Sequence, residues 1–509
     1  AGPTGLALAL WLARLGVAVR IVDKNARAAP FSRALGVQAR TLEFYRQLGL
    51  DYALLHNGAQ IRAVNFWVKG VRAAHLDFGD VARGLTPYPF ILDYAQNDHE
   101  QMLMDRLSLH DVYVERDTEL TQLDQHDDHV DATLRLPDGS ISTVETSYVA
   151  GCDGARSTVR QLLGIGFPGG TYSELFYVAD VQASGPAIDG EFHIDLDRAD
   201  LLAVFPMVGE AHVRLVGTVR DEAVKEDREL TFEDVSKRAM DSLGLDVSHV
   251  SWFSTYRVHH RVANSFGRDR VFLLGDAAHI HSPVGAQGMN TGIGDAVNLA
   301  WKLAAVLNDG ARESLLDTYE AERIGFAREL VGTTDRVFTL ATKRNFLAAI
   351  IRTNVLPRVV PLLARYPRVR QFLFRTVSQI DIHYRASPLS LHSTGAIDGG
   401  DRLPWISLKE VRMHGDNFGS LSTLAWQVHV YGEPRDGLAD ECAELGLSLA
   451  VFPWTSAAAL AGVVRNTAYL VRPDGYIAFG DRPAETDRLR SYFARHYQHR
   501  GAPTDGSAT

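Results

Sequence analysis

The stretch RVFLLGDAAHIHSPVGAQGMNTGIGDAVNLAWKLAAVL (270–307) constrains the fold of this chain more than any other. Its short apolar run, VFLLG, reads as a buried strand that delivers Asp276 to its carboxyl end, the edge at which open α/β sheets bind ligands. Gly285, Gly288 and Gly292 then form a loop whose backbone can approach a flat ligand closely. A helix starts near Asn290, and its amide dipoles favour negative charge.

Two further stretches have the same character. The chain begins AGPTGLALALWLARLGVAVRIVDK, with Gly2 and Gly5 at the spacing of the last two glycines of G-x-G-x-x-G. A helix over 5–15 and a strand over 17–23 ending on Asp23 follow. Such glycines let the backbone approach a pyrophosphate, and a strand-end acid about 20 residues on binds a ribose hydroxyl. The strand and glycine that should precede Ala1 are missing, so a longer working protein is expected upstream. In YVAGCDGARSTVRQLLGI (148–165), an apolar strand enters Gly151, the chain turns at Asp153-Gly154, and a helix begins with Ser157 and Arg160. Taken alone, this third stretch is a turn followed by a capped helix.

Between these stretches the pattern changes. From 60 to 90 and from 170 to 260 the chain alternates in short runs, and LLAVFPMV (201–208) and AHVRLVGTV (211–219) flank Gly209-Glu210 as a hairpin. A largely antiparallel sheet is therefore inserted into a domain that resumes at 271–305. Residues 341–386 are helical in tendency and carry nine Lys or Arg against Asp381 alone. A Gly/Pro-rich linker at 387–405 leads to a strand, helix, strand, hairpin and helix over 420–500, with AYLVRPDGYIAF turning at Pro473-Asp474-Gly475.

At 509 residues the chain exceeds one core's growth, and two or three domains are expected. A net charge of −10 argues against nucleic-acid binding. The longest apolar stretch, 346–363, is broken by Arg352, Pro357 and Arg358, so no stable membrane insertion is expected. Cys152 and Cys442 are the only cysteines, which fits a reducing cytoplasm. No metal site is read: the histidines of HIHSP (279–283) lack a well-spaced carboxylate or cysteine partner, and His259-His260 reads as structural or pocket-edge.

In order and spacing, the three stretches resemble the class A flavoprotein monooxygenases, the bacterial aromatic hydroxylases of the p-hydroxybenzoate hydroxylase and phenol hydroxylase group. The resemblance is strong over about 1–330 and looser beyond. It implies an α/β fold with a Rossmann-like FAD-binding domain (1–60, 91–170 and 265–340) and an inserted antiparallel substrate-binding sheet (61–90 and 171–264). The helical segment (341–386) and the linker (387–405) then precede a C-terminal thioredoxin-like α/β domain (406–509). With Cys442 as its only cysteine, that last domain has no dithiol chemistry and serves packing or oligomerisation.

Carried over residue by residue, the resemblance places Gly2 and Gly5 at the FAD pyrophosphate and Asp23 at the adenosine ribose. Arg33 stands where an arginine contacts FAD, and Gln96 and Asp276 stand beside the ribityl chain. Asp153 and Gly154 match a motif used for FAD and nicotinamide, and Pro283, Gly285, Gln287, Gly288, Met289 and Asn290 match the loop along the isoalloxazine ring. Asp23 replaces a more usual glutamate, and Gly285-Ala286-Gln287 stands where a double glycine is common. No catalytic side chain is named beyond the ring-side Pro283, Gly285 and Gly288.

The implied reaction is aromatic hydroxylation with NAD(P)H and O2 through a C4a-hydroperoxyflavin, on a phenolic or polyketide substrate. Pocket-wall candidates are FHIDLD (192–197), VFPM (204–207) and NFW (65–67). The basic helices would pack on the FAD-binding domain or on a second subunit of a homodimer. The rival readings are another flavin oxidoreductase of the same fold, and a non-catalytic FAD-binding interaction protein.

Overall fold

The computed structural model describes residues 1–28, 34–196, 201–219, 230–235, 237–282, 287–342, 366–393, 395–481 and 488–498. Helix α1 (Pro3–Arg14) has Gly2 at its N-cap and Pro3 at its start, where a missing amide hydrogen costs nothing. Its residues Gly5 to Leu12 are all buried, as expected of a helix that is hydrophobic all round.

The strand expected over 17–23 is shorter. Only β1 (Ile21–Val22) forms, and its one strand partner among the described residues is the equally short parallel strand β7 (Val114–Glu115). Before β7 come β2 (Gly36–Val37), helix α2 (Ala39–Gln47), β3 (Ala59–Ile61), β4 (Ala63–Val68), β5 (Val71–Asp77), β6 (Ile91–Asp93) and helix α3 (Gln96–Ser108). Strand β6 lies between β2 and β3.

Three antiparallel strands follow β7: β8 (Glu119–Gln125), β9 (Val130–Arg135) and β10 (Ile141–Thr146). Strand β11 (Val149–Gly151) enters the Asp153-Gly154 turn, and helix α4 (Thr158–Leu162) leaves it. Strand β11 pairs in parallel with β18 (Val271–Leu273), the strand read from VFLLG, and β18 pairs on its other side with the short antiparallel strand β17 (Gly267–Arg268). No strand among the described residues joins the β1–β7 pair to the β11–β18 pair.

Among the described residues the largest sheet has eight strands. In chain order they are β4 and β5, already named, then β12 (Gly169–Ser184), β13 (Phe192–Leu196), β14 (Leu201–Pro206), β15 (His212–Thr218), β16 (Asp246–Val262) and β19 (His279–Ile280). Their order across the sheet is β19-β16-β12-β15-β14-β13-β4-β5, antiparallel except where β13 meets β4. The expected hairpin is β14–β15, and residues 60–90 and 170–260 do join one sheet.

Helices α5 (Gly288–Asn308) and α6 (Asp317–Thr342) carry the chain away from the third motif. Of the basic segment 341–386, residues 343–365 lie outside the described residues, and helix α7 (Pro367–Val377) follows them. The C-terminal region is β20 (Gln427–Tyr431), α8 (Leu438–Glu444), β21 (Ser448–Phe452), β22 (Ala468–Val471), β23 (Ile477–Asp481) and α9 (Arg488–His496), with a short helix before β22. Its sheet order is β21-β20-β22-β23, and only β20 and β21 run parallel. Among the described residues, no helix is long and apolar enough to cross a membrane.

Candidate functional site

The three motifs, far apart in sequence, meet at the first turn of α1. A Cβ placed on Gly5 would lie 3.2 Å from the Cβ of Cys152, so α1 rests directly on the end of β11. Thr4 fills the opposite side: a Cβ on Gly275 would come 2.7 Å from its Oγ1, and one on Gly292 only 2.3 Å. Gly2 differs, since a Cβ there meets nothing within 4 Å. Its helix start also has no side-chain cap and no acid in the first turn. Open backbone at the second glycine and tight helix–strand packing at the third are what a pyrophosphate turn requires.

These contacts change the reading of the third motif. Gly292 lies inside α5 and serves its close approach to Thr4, so it is not part of a loop facing a ligand. The helix begins at Gly288, two residues before the expected start. Pro283 and Gly285 lie outside the described residues, as does Arg33.

Asp276 follows β18 in a short 3-10 turn, Gly275–Ala277. Its side chain is reachable by solvent. Protein nevertheless surrounds it closely enough that desolvation pushes its pKa up, against the pull of His279. A carboxylate that is both solvent-reachable and desolvated lines a recess. The turn is fixed from below by Asp295, which accepts from the Gly275 amide (3.0 Å) and from Arg323 Nε (2.6 Å) and lies 2.7 Å from His279 Nε2. Burial alone would raise the Asp295 pKa, but the charges of Arg323 and His279 hold it low.

The Asp153-Gly154 turn does the structural work expected of a cap. Asp153 Oδ2 accepts from the Val159 amide (3.0 Å) and Ser157 Oγ from the Arg160 amide (2.9 Å). Gly154 adopts a left-handed φ of 76°. Arg160 then donates to the carbonyl of Ala277 (2.7 Å), which ties the second motif to the third.

On the far side, Asp23 accepts from the Asn25 amide (2.8 Å) and pairs with Arg116 at 3.3 Å. Burial opposes its ionisation, whereas the Asn25 amide and the Arg116 charge favour the carboxylate. Gln96, at the start of α3, donates to Glu100 at 2.8 Å. The Asn290 side chain is spent on structure: it accepts from the Gln38 amide (2.9 Å) and Thr41 Oγ1 (2.7 Å) and donates to the Gly36 carbonyl (2.8 Å). Around the start of α5, three buried polar atoms take no hydrogen bond among the described residues: Gln287 Oε1, Ser282 Oγ and His281 Nε2. Met289 is half-buried and packs on the apolar core. Gly288 has room beside it, His281 being its nearest neighbour at 3.8 Å. Helix geometry leaves first-turn amides such as those of Gly288 and Met289 without an intrahelical acceptor.

The three pocket-wall candidates fall on adjacent strands β14, β13 and β4. The pleat admits only alternate residues to the face that meets the motifs. Phe192, Ile194 and Phe66 pack against the same core as α1 and β18, whereas Trp67, Val204 and Leu202 belong to the core on the opposite face. His193 is turned that way too, held between Trp67 Nε1 (2.9 Å) and Asp189 (2.8 Å). Asp197 lies outside the described residues.

Register extends the motif-side face into a row that the sequence did not single out. Trp252, Asp180, Arg214 and Phe205 are successive cross-strand partners, and Phe205 stacks on Phe192 at 4.2 Å. Arg214 and Asp180 form a buried bidentate pair at 2.5 and 2.7 Å. Asp93, at the end of β6, is close enough for both charges of that pair to act on it. It is buried, its Oδ1 takes no hydrogen bond among the described residues, and desolvation pushes its pKa from 3.8 to about 8. A lone charge in each of the apolar runs YVADVQ and HVRLVG was the available signal for Asp180 and Arg214. His259 and His260, by contrast, engage Thr171 (2.7 Å) and the ring of Tyr172.

Known proteins share this architecture. A flavin-dependent monooxygenase of Mycobacteroides abscessus is 33% identical over 97% of this chain and 98% of its own length. A 6-methylpretetramide 4-monooxygenase of Streptomyces rimosus is 36% identical over 78% of this chain and 70% of its own. Among solved structures, an anhydrotetracycline hydroxylase from Streptomyces rimosus superposes with a TM-score of 0.77 at 31% identity, covering 98% of both chains. Residues 1–334 match the family described as the FAD binding domain, and this chain belongs to it.

Proposed function

We propose that this chain is an FAD-dependent monooxygenase that hydroxylates a phenolic or polyketide aromatic compound with NAD(P)H and O2. The observation that carries the reading is the meeting of all three motifs at the first turn of α1, on a core that the motif-side face of the large sheet also packs against. When bound, FAD supplies the two-electron chemistry that takes reducing equivalents from NAD(P)H and passes one oxygen atom of O2 to the ring.

In this reading the Gly2 backbone and the α1 amides hold the pyrophosphate, Gly5 keeps the helix against its strand, and Asp23 takes the adenosine ribose. Gln96 and Asp276 orient the ribityl chain, and Asp153-Gly154 serves FAD and the transient nicotinamide. The amides at the start of α5, from Gly288 through Met289 to Asn290, give positive potential to the ring edge, with Gln287 beside them. Arg33, Pro283 and Gly285 keep the roles that the resemblance gives them.

Phe192, Phe205 and Trp252 would wall the substrate from water, while Arg214 and Asp180 orient an oxygen on its ring. The FAD-binding domain spans 1–60, 91–170 and 265–340, and the substrate-binding sheet spans 61–90 and 171–264, before the helical segment 341–386, the linker 387–405 and the domain 406–509. That last domain is thioredoxin-like, which the β21-β20-β22-β23 order with one parallel pair supports. A homodimer and a cytoplasmic location complete the proposal; the free state of both cysteines suits the latter.

The test is a panel of phenols and polycyclic polyketides, scored for stimulated NAD(P)H oxidation and a product heavier by one oxygen atom. A yellow protein that forms such a product is the expected result. A protein that binds FAD yet oxidises NAD(P)H with no oxygenated product from any compound would leave the rival oxidoreductase reading standing.

A further inference from the structure

Away from the FAD-motif region, the β8–β9 hairpin gathers donors of another kind. Its turn reads Gln125-His126-Asp127-Asp128-His129-Val130, closed by the His126 amide donating to the His129 carbonyl at 2.9 Å. His126 and His129 therefore face each other across the turn, their rings stacked 4.3 Å apart and tilted by only 17°. Two residues down the ladder Asp124 lies opposite Asp131, and Asp131 lies opposite Glu145 of β10. Val130, Ala132 and Leu134 bury the other face of β9, so the histidines and the three acids share the outward face.

Two features make this more than a polar surface. Like charges directly opposite each other across a sheet are destabilising. Yet among the described residues no lysine or arginine pairs with Asp124, Asp131 or Glu145; the His126 imidazole reaches Asp131, and the His129 imidazole reaches Asp128 through Nδ1 at 2.7 Å. Ligand atoms of His126, His129 and Asp131 also lie within 4.8 Å of one another, with His126 Nε2 and Asp131 Oδ2 at 3.2 Å. Bond lengths of 2.0–2.2 Å in a tetrahedral zinc site put neighbouring donors about 3.4 Å apart, so little movement is needed.

The turn is also held in place. Arg270 donates twice to the Asp127 carbonyl (2.9 and 2.7 Å) and its amide to Gln125 Oε1 (3.0 Å), while Glu313 balances its charge at 2.7 Å.

We infer that His126, His129 and Asp131 form a surface site for a borderline divalent cation of the Zn2+ class, with Asp124 and Glu145 adding favourable charge. Two imidazoles favour such ions over Ca2+, which takes oxygen donors alone. The site is independent of the flavin reading, and the cation would clip the hairpin by replacing repulsion with shared ligation.

The test is equilibrium dialysis of the untagged, FAD-loaded protein against ZnCl2, with CaCl2 as a parallel arm. The wild-type chain is expected to bind one Zn2+, and the His126→Ala/His129→Ala double variant to bind it weaker by more than about tenfold, the floor for losing even an outer partner of a metal ligand. Unchanged FAD content and circular dichroism show that the variant is folded. An Asp131→Asn variant should lose affinity without losing fold. No Zn2+ uptake, uptake unaffected by the double variant, or preference for Ca2+ would each overturn the assignment.

Discussion

The two ends of helix α5 are built to opposite rules. At its start, Gln287 Oε1, Ser282 Oγ and His281 Nε2 are buried and take no hydrogen bond among the described residues, and the backbone is rich in glycine. Toward its other end the buried polar side chains are matched among the described residues. Lys302 Nζ donates to Glu322 (2.9 Å) and Asn298 (2.8 Å), and Glu322 also accepts from Asn298 (2.6 Å), Ser387 (2.7 Å) and both terminal nitrogens of Arg472 (2.7 and 2.9 Å). Arg472 closes on Asp474 at 2.6 Å, and Trp301 Nε1 reaches the same carboxylate. Two cations and two anions, all of them buried, balance. Incomplete pairing at one end leaves donors and acceptors for a ligand; complete pairing at the other locks the C-terminal hairpin to α5 and α6.

That contrast breaks first at the matched end. Replacing Arg472 by Met leaves Glu322 and Asp474 as buried carboxylates short of a counter-charge, a loss of about 3–5 kcal/mol. Urea unfolding of the FAD-saturated protein measures it. A loss below about 1 kcal/mol, the worth of an exposed ion pair, would show that the network relaxes or takes up water.

Asp93 is the second lever, because it resembles the unmatched end while lying in the interior. With an ordinary value of 3.8 and a folded value of about 8, it keeps a proton that the unfolded chain has already lost. Its contribution is complete below about pH 4 and drains away as pH rises toward 8, at about 1.4 kcal/mol per pH unit. Asp93→Asn should flatten stability between pH 6 and pH 8, measured as unfolding midpoints against the wild type. An unchanged slope would mean that the carboxyl is already ionised and finds compensation from Arg214.

The glycines divide along the same line. Gly292→Ala drives a Cβ into Thr4 Oγ1 and should cost about 1–3 kcal/mol of stability, with FAD affinity following only indirectly. Gly2→Ala meets no protein atom, so it should leave the FAD-free protein as stable as the wild type and weaken FAD by about tenfold. Unfolding curves and FAD titration separate the two, and equal behaviour of both variants would remove the distinction.

What the sequence made legible follows from what spacing can encode. A strand tip, a glycine turn and a helix start are local, so the three motifs, the β14–β15 hairpin and the alternation of the inserted sheet could be read directly. Roles set by pairing could not. The strand at 17–23 shrinks to two residues beside an equally short partner, and Gly292 changes role because Thr4 arrives from the other end of the chain. The row from Trp252 to Phe205 depends on register across four strands, which no single stretch contains. Asp93 stood unremarked at the end of an apolar run, since burial of its carboxyl depends on what packs over it. The hairpin RPDG was recognisable as a turn, but its docking on Glu322 and Trp301 was not.

The smallest effect is the most discriminating for the unmatched end. Ser282 is fully buried and its hydroxyl takes no hydrogen bond among the described residues. A buried hydroxyl left unpaired costs folding free energy, so Ser282→Ala should stabilise the FAD-free protein, on the order of 1 kcal/mol. If the hydroxyl is kept for a ligand, that gain shrinks or reverses when FAD is saturating, because the bound state loses a hydrogen bond that the free state never had. Thermal unfolding with and without FAD measures both numbers. A gain of equal size in the two conditions would mean that Ser282 faces no ligand, and a loss in the FAD-free protein would make it a structural hydroxyl like those around Glu322.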